Sequence, residues 1–563
     1  MRVLGLAFGA QGSAACLVED GRVAAAIDLE RLTRTRFARA TLPEYRVRLA
    51  KLAQALFELD ELPEFADYYE VFPRLLHAVT GETDLGRAGI DLVVKTRDDI
   101  RPMRGQPGPY DEFCSSFGGT KALLDLEHHL CHAHQAFYAS PFDDAAILTI
   151  DGGGEDLPRL GNRTISTTLG EGDGSGVSVL AEVLRPSSVG ALSTNITRYL
   201  GFRDDQEANT TALAALGTDR FYRRVRDATL ELFDDGTFEL HEEYFQPLFE
   251  FCPRRRPGAD LTQDHYDVAW ACQQLTEDVM VHTTTRLRDR TGRRRLAMAG
   301  SVALNCAANA RVLQDSGFEE LYVVPNAGDA GLALGAALYG YHVVLGGSER
   351  HPPRDDFLGP PLPEDAIPAA LRAEPGTDFR VSDDIATDAA ELLARGRTIG
   401  WVQGGAEFGP RALGHRSILA DPRSVESKTR LDDAKQREWF RPYGCSVLAE
   451  HADDYFEMLG PSPYKLLAVG TRPVGRERAP AVVHADGTAR VQTVTPDVEP
   501  RYHRLITRFH ELTGVPLVLN TSCNGAGEPM VESPHDAVRT MHALQLDALA
   551  IGDHLAWRDG HSP

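Results

Sequence analysis

Glu127-His-His-Leu-Cys-His-Ala-His134 and Ala145-Ala-Ile-Leu-Thr-Ile-Asp-Gly-Gly-Gly-Glu155 are the two neighbouring stretches that decide the fold. Apolar residues recur at helical spacing from about Lys121 to Ala139, so we predict a helix there. The apolar run from Ala145 to Ile150 predicts a buried strand. The glycines after Asp151 predict a turn in which the backbone can approach a ligand closely.

Two histidines of the predicted helix have the spacing of a metal site. His128 and His132 are four residues apart, so they lie on one helix face and their imidazoles can converge on a single ion. Asp151, at the end of the predicted strand, supplies a carboxylate. His129 points to another side of the helix. Paired histidines at helical spacing are a weak motif by themselves, and ordinary polar residues of a helix surface are the alternative.

The N-terminus repeats the plan of a strand, a turn of small residues and further strands. A strand from Val3 is followed by a small-residue turn, a second strand that ends at Glu19 and a third from Arg22. The second copy starts at Ala145, with strands predicted around 164–169 and 177–183. Two such units, each with backbone N–H groups in a turn, are what a two-lobed nucleotide phosphate clamp requires.

A third glycine-rich region follows. It contains Ser301-Val-Ala-Leu-Asn-Cys306 and Gly328-Asp-Ala-Gly-Leu-Ala-Leu-Gly-Ala-Ala337, in which Asp329 is a second carboxylate in a glycine turn.

The C-terminal part contains the most specific motif, Gly404-Gly-Ala-Glu-Phe-Gly-Pro-Arg-Ala-Leu-Gly-His-Arg-Ser-Ile-Leu-Ala-Asp-Pro-Arg423. Glycine turns interleaved with arginines present bidentate donors to several phosphates at once. A helix with ion pairs is the alternative for some of these cations. The eight basic side chains within residues 411–441 are Arg411, Arg416, Arg423, Lys428, Arg430, Lys435, Arg437 and Arg441.

Composition limits the function classes. The 563 residues are 42% hydrophobic and 25% charged, which is ordinary globular material long enough for two large domains. No apolar run reaches the roughly eighteen residues of a membrane span, and the N-terminus lacks the pattern of a signal peptide, so we expect a cytoplasmic enzyme. The net charge of −23 argues against nucleic acid or an anionic membrane as a partner. The eight cysteines are scattered singly, without disulfide or zinc spacing.

Proline content marks the domain boundary. Prolines cluster from Gly346 to about Gly376, which predicts a linker. We therefore predict a first domain at 1–345, a proline-rich linker at 346–380 and a second domain at 381–563.

The motifs His-His-x-x-His-Ala, Asp151-Gly, Val-Ala-Leu-Asn-Cys and Gly-Asp-Ala-Gly-x-Ala-Leu-Gly-Ala-Ala together resemble the bacterial O-carbamoyltransferase family of antibiotic and nodulation-factor biosynthesis. The tobramycin, cephamycin and geldanamycin carbamoyltransferases are members. The resemblance implies an α/β protein. Its N-terminal domain would be actin-like (ASKHA) and related to the tRNA threonylcarbamoyl-transfer protein, and its C-terminal domain would be an α/β carbamoyl-adenylate synthase of YrdC-like fold.

The resemblance also implies an activity. ATP with Mg²⁺ would convert carbamoyl phosphate to carbamoyl adenylate, and the carbamoyl group would pass to a hydroxyl of a small molecule. The implied metal is Fe²⁺ or another divalent transition metal, held by His128, His132, Asp151 and Asp329. The implied phosphate and carbamoyl contacts are Arg411, Arg416, Lys435, Arg441, Arg490, Asn520, Ser522 and Asn524. Gly152, Gly153, Gly154, Asn305 and Gly328 would bind nucleotide or substrate in the first domain.

One departure from the family pattern concerns proton transfer. Relatives carry His-Asp in the first glycine turn, whereas this chain has Gln11-Gly12, and a neutral glutamine cannot accept the proton of a hydroxyl. We predict His129 as the alternative proton acceptor. An amine acceptor, or a nucleotide-binding relative that has lost transfer, are the other readings. The acceptor cannot be read from the sequence, nor can the oligomeric state, for which a homodimer is one arrangement.

Overall fold

The computed structural model describes residues 1–9, 12–36, 38, 40–41, 66–96, 123–241 and 252–559. Gln11 lies outside the described residues. The chain divides into two compact units, Met1–Pro353 and Arg354–Pro563.

The first half of unit 1 is a sheet with its strands in the order β3-β2-β1-β6-β7. The strands β1, β2 and β3 are antiparallel, and β6 and β7 continue the sheet in parallel with β1. Its elements are β1 (Arg2–Gly9), β2 (Gly12–Glu19), β3 (Arg22–Asp28), α1 (Leu29–Thr33), β4 (Ala40–Thr41), β5 (Ala66–Asp67), α2 (Tyr68–Thr80), β6 (Leu92–Thr96) and β7 (Leu123–Leu126). Alternate apolar residues of the strands pack against α2, where Leu4, Leu6, Phe72 and Leu76 are buried.

The second half of unit 1 repeats this order and these directions as β11-β10-β8-β14-β15. Its elements are α3 (His128–Ala139), β8 (Ala145–Ile150), β9 (Asp156–Leu157), β10 (Arg163–Asp173), β11 (Gly176–Leu184), α4 (Val189–Tyr199), α5 (Glu207–Ala214), α6 (Tyr222–Thr229), β12 (Leu230–Leu232), β13 (Phe238–Leu240), α7 (Gln263–Thr291), β14 (Arg295–Ala299), α8 (Cys306–Asp315), β15 (Glu320–Val323) and α9 (Leu332–Tyr339). The duplicated sheet is the arrangement expected of an actin-like domain, and the predicted pair of strand-turn-strand units is confirmed.

Two predicted boundaries in this unit were wrong. The segment Leu123–Leu126 is a strand paired with β6, so α3 begins only at His128. The strand predicted to end at Leu169 continues to Asp173, because Gly170 and Gly172 pair with β8. A Cβ at Gly172 would lie 2.5 Å from ring atoms of Phe137 on α3, so glycine there allows the helix to pack on the sheet.

Arg350 fastens the end of unit 1 to the C-terminus of α3. Its half-buried guanidinium donates hydrogen bonds to the carbonyls of Phe137 and Tyr138 in the last turn of the helix and to those of Ser140 and Phe142 just beyond it.

We expect Arg350→Met to lower the free energy of unfolding of unit 1 by about 3 kcal/mol, because carbonyls at the helix end lose a charged donor. Chemical denaturation followed by circular dichroism would measure it. Arg294→Met, which removes an exposed ion pair with Glu319, is the control and should leave the free energy of unfolding nearly unchanged. Equal effects of the two changes would contradict the role of Arg350.

Unit 2 is built on a nine-stranded mixed sheet in the order β16-β24-β23-β17-β18-β22-β19-β21-β20. Its elements are α10 (Ile367–Ala373), β16 (Thr377–Val381), α11 (Ile385–Ala394), β17 (Ile399–Val402), β18 (Arg416–Ala420), α12 (Val425–Ala434), β19 (Gly444–Leu448), α13 (Ala452–Tyr455), β20 (Leu467–Gly470), α14 (Pro473–Arg478), β21 (Thr488–Val494), α15 (Pro500–Thr513), β22 (Leu517–Ser522), α16 (Pro534–Ala543), β23 (Ala548–Ile551) and β24 (His554–Arg558). Trp401, Tyr443 and Tyr502 are among its largest fully buried side chains. Both units confirm the predicted α/β class.

The predicted linker was too long. Unit 2 begins at Arg354, within the predicted 346–380 segment. Backbone hydrogen bonds join Asp356 to Phe408, Gly359 to Ala406 and Leu362 to Gly404, and α10 and β16 follow. Prolines that suggested a linker therefore lie in an ordered part of unit 2. Within the described ranges, we find no helix with both the length and the apolar character needed to cross a membrane.

Candidate functional site

Unit 1 brings together the four residues predicted as metal ligands. His128 and His132 lie on α3, Asp151 follows β8, and Asp329 lies in the turn before α9. One ligand atom from each lies within 4.8 Å of the others. His128 Nε2 is 3.3 Å from Asp151 Oδ2 and 3.7 Å from Asp329 Oδ1. The spacing argument and the family resemblance therefore lead to one cluster.

Hydrogen bonds orient the ligand side chains of this cluster. Asp151 Oδ1 accepts the backbone N–H of Ser301 at 2.8 Å and also the Ser301 hydroxyl, so Oδ2 is the oxygen that faces His128. Gln135 Oε1 lies 3.4 Å from Nδ1 of His132, and its amide donates to the Asn326 carbonyl. Partners of this kind fix ring orientation in metal sites.

The glycine turn after Asp151 is required by close packing. A Cβ at Gly154 would lie 2.8 Å from the Cβ of His128, and one at Gly190 would overlap the backbone of Gly152. The N–H of His128, at the start of α3, donates to the carboxylate of Glu155 at 3.2 Å. Sequence reasoning missed Glu155, although an acidic residue that follows a glycine turn is a common partner for a helix N-terminus.

Burial and neighbouring charges shift the pKa values of His128 and His132 in opposite directions. Burial alone would lower the pKa of His128, but the hydrogen bond that the imidazole donates to Asp151 and the charges of Asp329 and Glu155 raise the pKa to about 9. Burial and the charge of His128 lower the pKa of His132 to about 3. His132 is therefore held neutral, which is the form that binds a metal.

The residues present fit a divalent transition metal. The Nε2 atoms of His128 and His132 are both buried: that of His128 contacts Asp151 and Asp329, and that of His132 has no hydrogen-bond partner among the described residues. They face two carboxylates, and two imidazole nitrogens with two carboxylate oxygens suit a divalent transition ion.

His129 is not one of the four clustered residues. Its side chain is 3% exposed, and its Nδ1 lies 2.7 Å from the hydroxyl of Thr149 on β8. Burial and the charges of His128 and His132 lower its pKa well below the usual value, which makes it a weak base. The geometry does not favour His129 as the proton acceptor, and that role stays a prediction.

Asn305 has a structural role in this structure. Its Oδ1 accepts the N–H of Ala308 at the start of α8, and its amide donates to Gln273. Asn305 therefore caps α8, and its predicted ligand contact stays a prediction.

Unit 2 gathers positive charge around the start of β19. Desolvation and the charges of Arg441 and Arg490 lower the pKa of Arg437 to about 9. Burial and the charges of Arg490 and Arg411 lower the pKa of Lys465 well below its usual value. We call Arg411, Arg437, Arg441, Lys465 and Arg490 the cation cluster. Cations whose charge lowers the pKa of a neighbouring cation in this way would stabilise a bound anion.

Lys435 lies with two other predicted ligand-binding residues. Its Nζ donates to the Ser522 carbonyl at 2.5 Å and to Asn524 Oδ1 at 2.9 Å, and the Ser522 hydroxyl donates to the same Asn524 oxygen. The structure therefore brings Lys435, Ser522 and Asn524 together at the end of β22.

Two residues predicted to bind ligand are internal instead. Arg416 is 0% exposed, and its guanidinium donates to the carbonyls of Gln403 and Gly404 because the side chain points inward from β18. Asn520 is also 0% exposed and donates to the hydroxyls of Ser446 and Tyr502. In this structure the two side chains satisfy buried polar groups, and a ligand contact by either of them stays a prediction.

Glu407 was missed by sequence reasoning. One carboxylate oxygen accepts the backbone N–H groups of Leu413, His415 and Arg416, at 2.7, 3.0 and 3.1 Å. These bonds hold the glycine-rich loop that contains Arg411. The backbone N–H groups of such a loop need acceptors, and this need could have pointed to the acidic residue within the motif.

Two family models match the chain. The Carbamoyltransferase N-terminus model matches residues 115–338, and the Carbamoyltransferase C-terminus model matches residues 390–558. The chain belongs to the carbamoyltransferase family. The metal cluster lies within the first match and the cation cluster within the second.

Relatives at 35% identity or more extend over most of the chain. An uncharacterised protein of Synechocystis sp. is 35% identical over 98% of this chain and 95% of its own length. Nodulation protein NolNO of Sinorhizobium fredii is 35% identical over 98% of this chain and 79% of its own. Nodulation protein NolO of Bradyrhizobium diazoefficiens is 38% identical over 76% and 78%. These carbamoyltransferase-family matches cover both units.

Similar solved structures have low overlap scores. HypF from T. kodakarensis has 15% identity and a TM-score of 0.35, over 62% of this chain and 48% of its own. The activator of 2-hydroxyisocaproyl-CoA dehydratase from Clostridium difficile, with bound ADPNP, has 14% identity and a TM-score of 0.30, over 60% and 94%. Membership of the carbamoyltransferase family rests on the sequence matches.

Proposed function

We propose that this protein is an ATP-dependent O-carbamoyltransferase that activates carbamoyl phosphate as carbamoyl adenylate and transfers the carbamoyl group to a hydroxyl of a small molecule. The observation that supports activation is the cation cluster. Arg441 and Arg490 lower the pKa of Arg437, and Arg490 and Arg411 lower that of Lys465, within a chain of net charge −23. A local excess of cations in an acidic protein favours a polyanionic substrate such as ATP with Mg²⁺.

The activation step needs two bond exchanges. Water displaces phosphate from carbamoyl phosphate and gives carbamate. An oxygen of carbamate then attacks the α-phosphorus of ATP, the bond to the β-phosphate breaks, and pyrophosphate leaves. Arg411, Arg441 and Arg490 would stabilise the charge that develops on the phosphate oxygens. Lys435, Ser522 and Asn524, which lie together, would bind the carbamoyl end.

Transfer is assigned to unit 1. An iron(II) or other divalent transition ion, held by His128, His132, Asp151 and Asp329, would supply Lewis-acid polarisation of a carbonyl. Ser301 keeps the Asp151 carboxylate oriented, and burial keeps His132 neutral. The acceptor oxygen bonds to the carbamoyl carbon, the bond to the adenylate phosphate breaks, and AMP leaves. Since His129 is packed against Thr149, we favour the leaving phosphate as the proton acceptor.

An amine acceptor is the second candidate. Gln11 stands where relatives carry a histidine, and a free amine is nucleophilic without a base. Competing hydroxyl and amine acceptors, analysed by mass spectrometry of the carbamoylated products, would separate the two.

The test of the activation step uses the purified full-length protein with Mg²⁺ and ATP. We expect release of pyrophosphate only when carbamoyl phosphate is added, with one phosphate formed for each pyrophosphate. Pyrophosphate release from ATP alone, or none with both substrates, would contradict the proposal.

A further inference from the structure

Lys465 is the one lysine of the cation cluster, and its amine is buried. Its side chain is 2% exposed, although it lies on a loop and its backbone is in the left-handed region with φ +59°. The loop is fixed to β21: the Ser462 hydroxyl donates to the Val491 carbonyl at 2.7 Å, and the Ser462 carbonyl accepts the N–H of Thr493. Burial of a lysine amine costs free energy, and this ordered loop holds Lys465 buried despite that cost.

The side chains of Lys465 and Arg490 pass β19 at the same residue. A Cβ built on Gly444, the first residue of β19, would lie 2.7 Å from Cδ of Lys465 and 3.2 Å from Nε of Arg490. Both side chains therefore cross the strand at the one residue that has no side chain of its own. Glycine at this position lets two cationic chains enter the same space.

The amine of Lys465 lies on the same side of β22 as the amine of Lys435. Lys465 Nζ donates to the Asn520 carbonyl at 3.2 Å, and Lys435 Nζ donates to the Ser522 carbonyl. Carbonyls two residues apart on a strand point in the same direction and are roughly 7 Å apart. Lys465 and Lys435 therefore donate to neighbouring carbonyls of β22, and Lys465 is also near Arg490 and Arg411 of the proposed activating site.

The charged and titratable groups that face Lys465 are of both signs. Arg490 from β21 and Arg411 from the glycine-rich loop repel an ammonium, whereas Glu407 and the thiol of Cys445 on β19 favour it. Burial and the two arginines prevail, so the pKa of Lys465 is lowered well below its usual value. An anion that entered beside Arg490 would reverse this balance.

We propose that Lys465 is an anion-binding residue of the activating site and that its amine takes up a proton as a phosphate-like anion binds. The inference rests on the proposed function of unit 2. It assigns Lys465 to recognition of the anion, and it makes binding weaken as the pH rises, since fewer protons are then available to the amine.

Sulfate is the probe for the test, because its charge does not change near neutral pH. Isothermal titration calorimetry of the full-length protein in Tris and in HEPES, at several pH values around neutrality, gives the number of protons taken up for each sulfate bound. We expect about one proton at the upper end of this range.

Lys465→Met should abolish the proton uptake and weaken sulfate binding roughly tenfold or more. It should also raise the Tm, because a lysine with a lowered pKa costs stability at every pH below its unfolded-state value, and methionine removes that cost. A residue with only a structural role would give a lower Tm and unchanged binding, and that result would overturn the inference.

Two control variants identify the source of the proton. His484→Gln removes another buried titratable group beside Arg490, and it should leave the uptake unchanged. Arg411→Met should weaken sulfate binding but retain the uptake, because its cation does not depend on the anion. Uptake that persists in Lys465→Met, or sulfate binding to the wild type without uptake at any pH, would overturn the inference.

The inference and the proposed function fail separately. Proton uptake that depends on Lys465, in a protein that releases no pyrophosphate with carbamoyl phosphate, supports the inference and contradicts the function. Carbamoyl-phosphate-dependent pyrophosphate release, with proton uptake that does not depend on Lys465, supports the function and contradicts the inference.

Discussion

Replacing His128 and His132 together by alanine is expected to remove the bound metal and abolish carbamoyl transfer, while carbamoyl-phosphate-dependent pyrophosphate release continues. The double change deletes both nitrogen ligands and leaves the carboxylates of Asp151 and Asp329 facing each other. Metal content should fall from about one ion per chain to less than about a tenth of that, because two remaining ligands bind a transition ion weakly. Elemental mass spectrometry of proteins purified in parallel would measure it.

The matched control is His134→Ala. His134 is buried on the same helix, but its Nδ1 lies 2.8 Å from the Leu130 carbonyl and it is not part of the ligand set. We expect this variant to keep its metal. Full metal occupancy in the double variant would contradict the assignment of these ligands.

Arg490→Ala is expected to lower carbamoyl-phosphate-dependent pyrophosphate release by on the order of a hundred- to a thousandfold, which is typical for removal of one donor from a charge-stabilising site. The charge of Arg490 affects the pKa of Arg437, Lys465 and His484, which places it centrally in the cation cluster. Arg441→Ala should act in the same direction. Metal content should be unchanged in both variants.

Arg430→Ala is the control for these changes. Arg430 belongs to the same basic run of sequence, but its exposed guanidinium donates to the Gly396 carbonyl. Its loss should leave turnover within about twofold of the wild type. Unaltered turnover in both the Arg441 and Arg490 variants would mean that the cation cluster is structural.

The parts of the fold that sequence predicted well have strong local periodicity. The predicted strand from Ala145 to Ile150 has the observed bounds, and the apolar pattern placed β1, β2 and β3. The segment Leu123–Leu126 was assigned to a helix because a short apolar run fits either structure. Only its pairing with β6, which is distant in sequence, decides that it is a strand.

The site residues divide in the same way. The four-residue spacing of His128 and His132, together with the position of Asp151 at a strand end, was enough to predict that these three residues lie together. The direction of Arg416 does not follow from its motif, since every residue of β18 is buried and no alternation marks an outward face. Lys465 has no motif or period, and its importance emerges only when β19 and β21 are adjacent.

The contacts of Arg350 bear on how the protein can be divided for separate study of its halves. A fragment cut at residue 345, as proline content alone would suggest, lacks Arg350 and loses the hydrogen bonds of its guanidinium to the carbonyls at and beyond the end of α3. A fragment that extends to Pro353 keeps this fastening together with the helix that bears both histidines. The position of the cut therefore decides whether an isolated first half presents an intact ligand set.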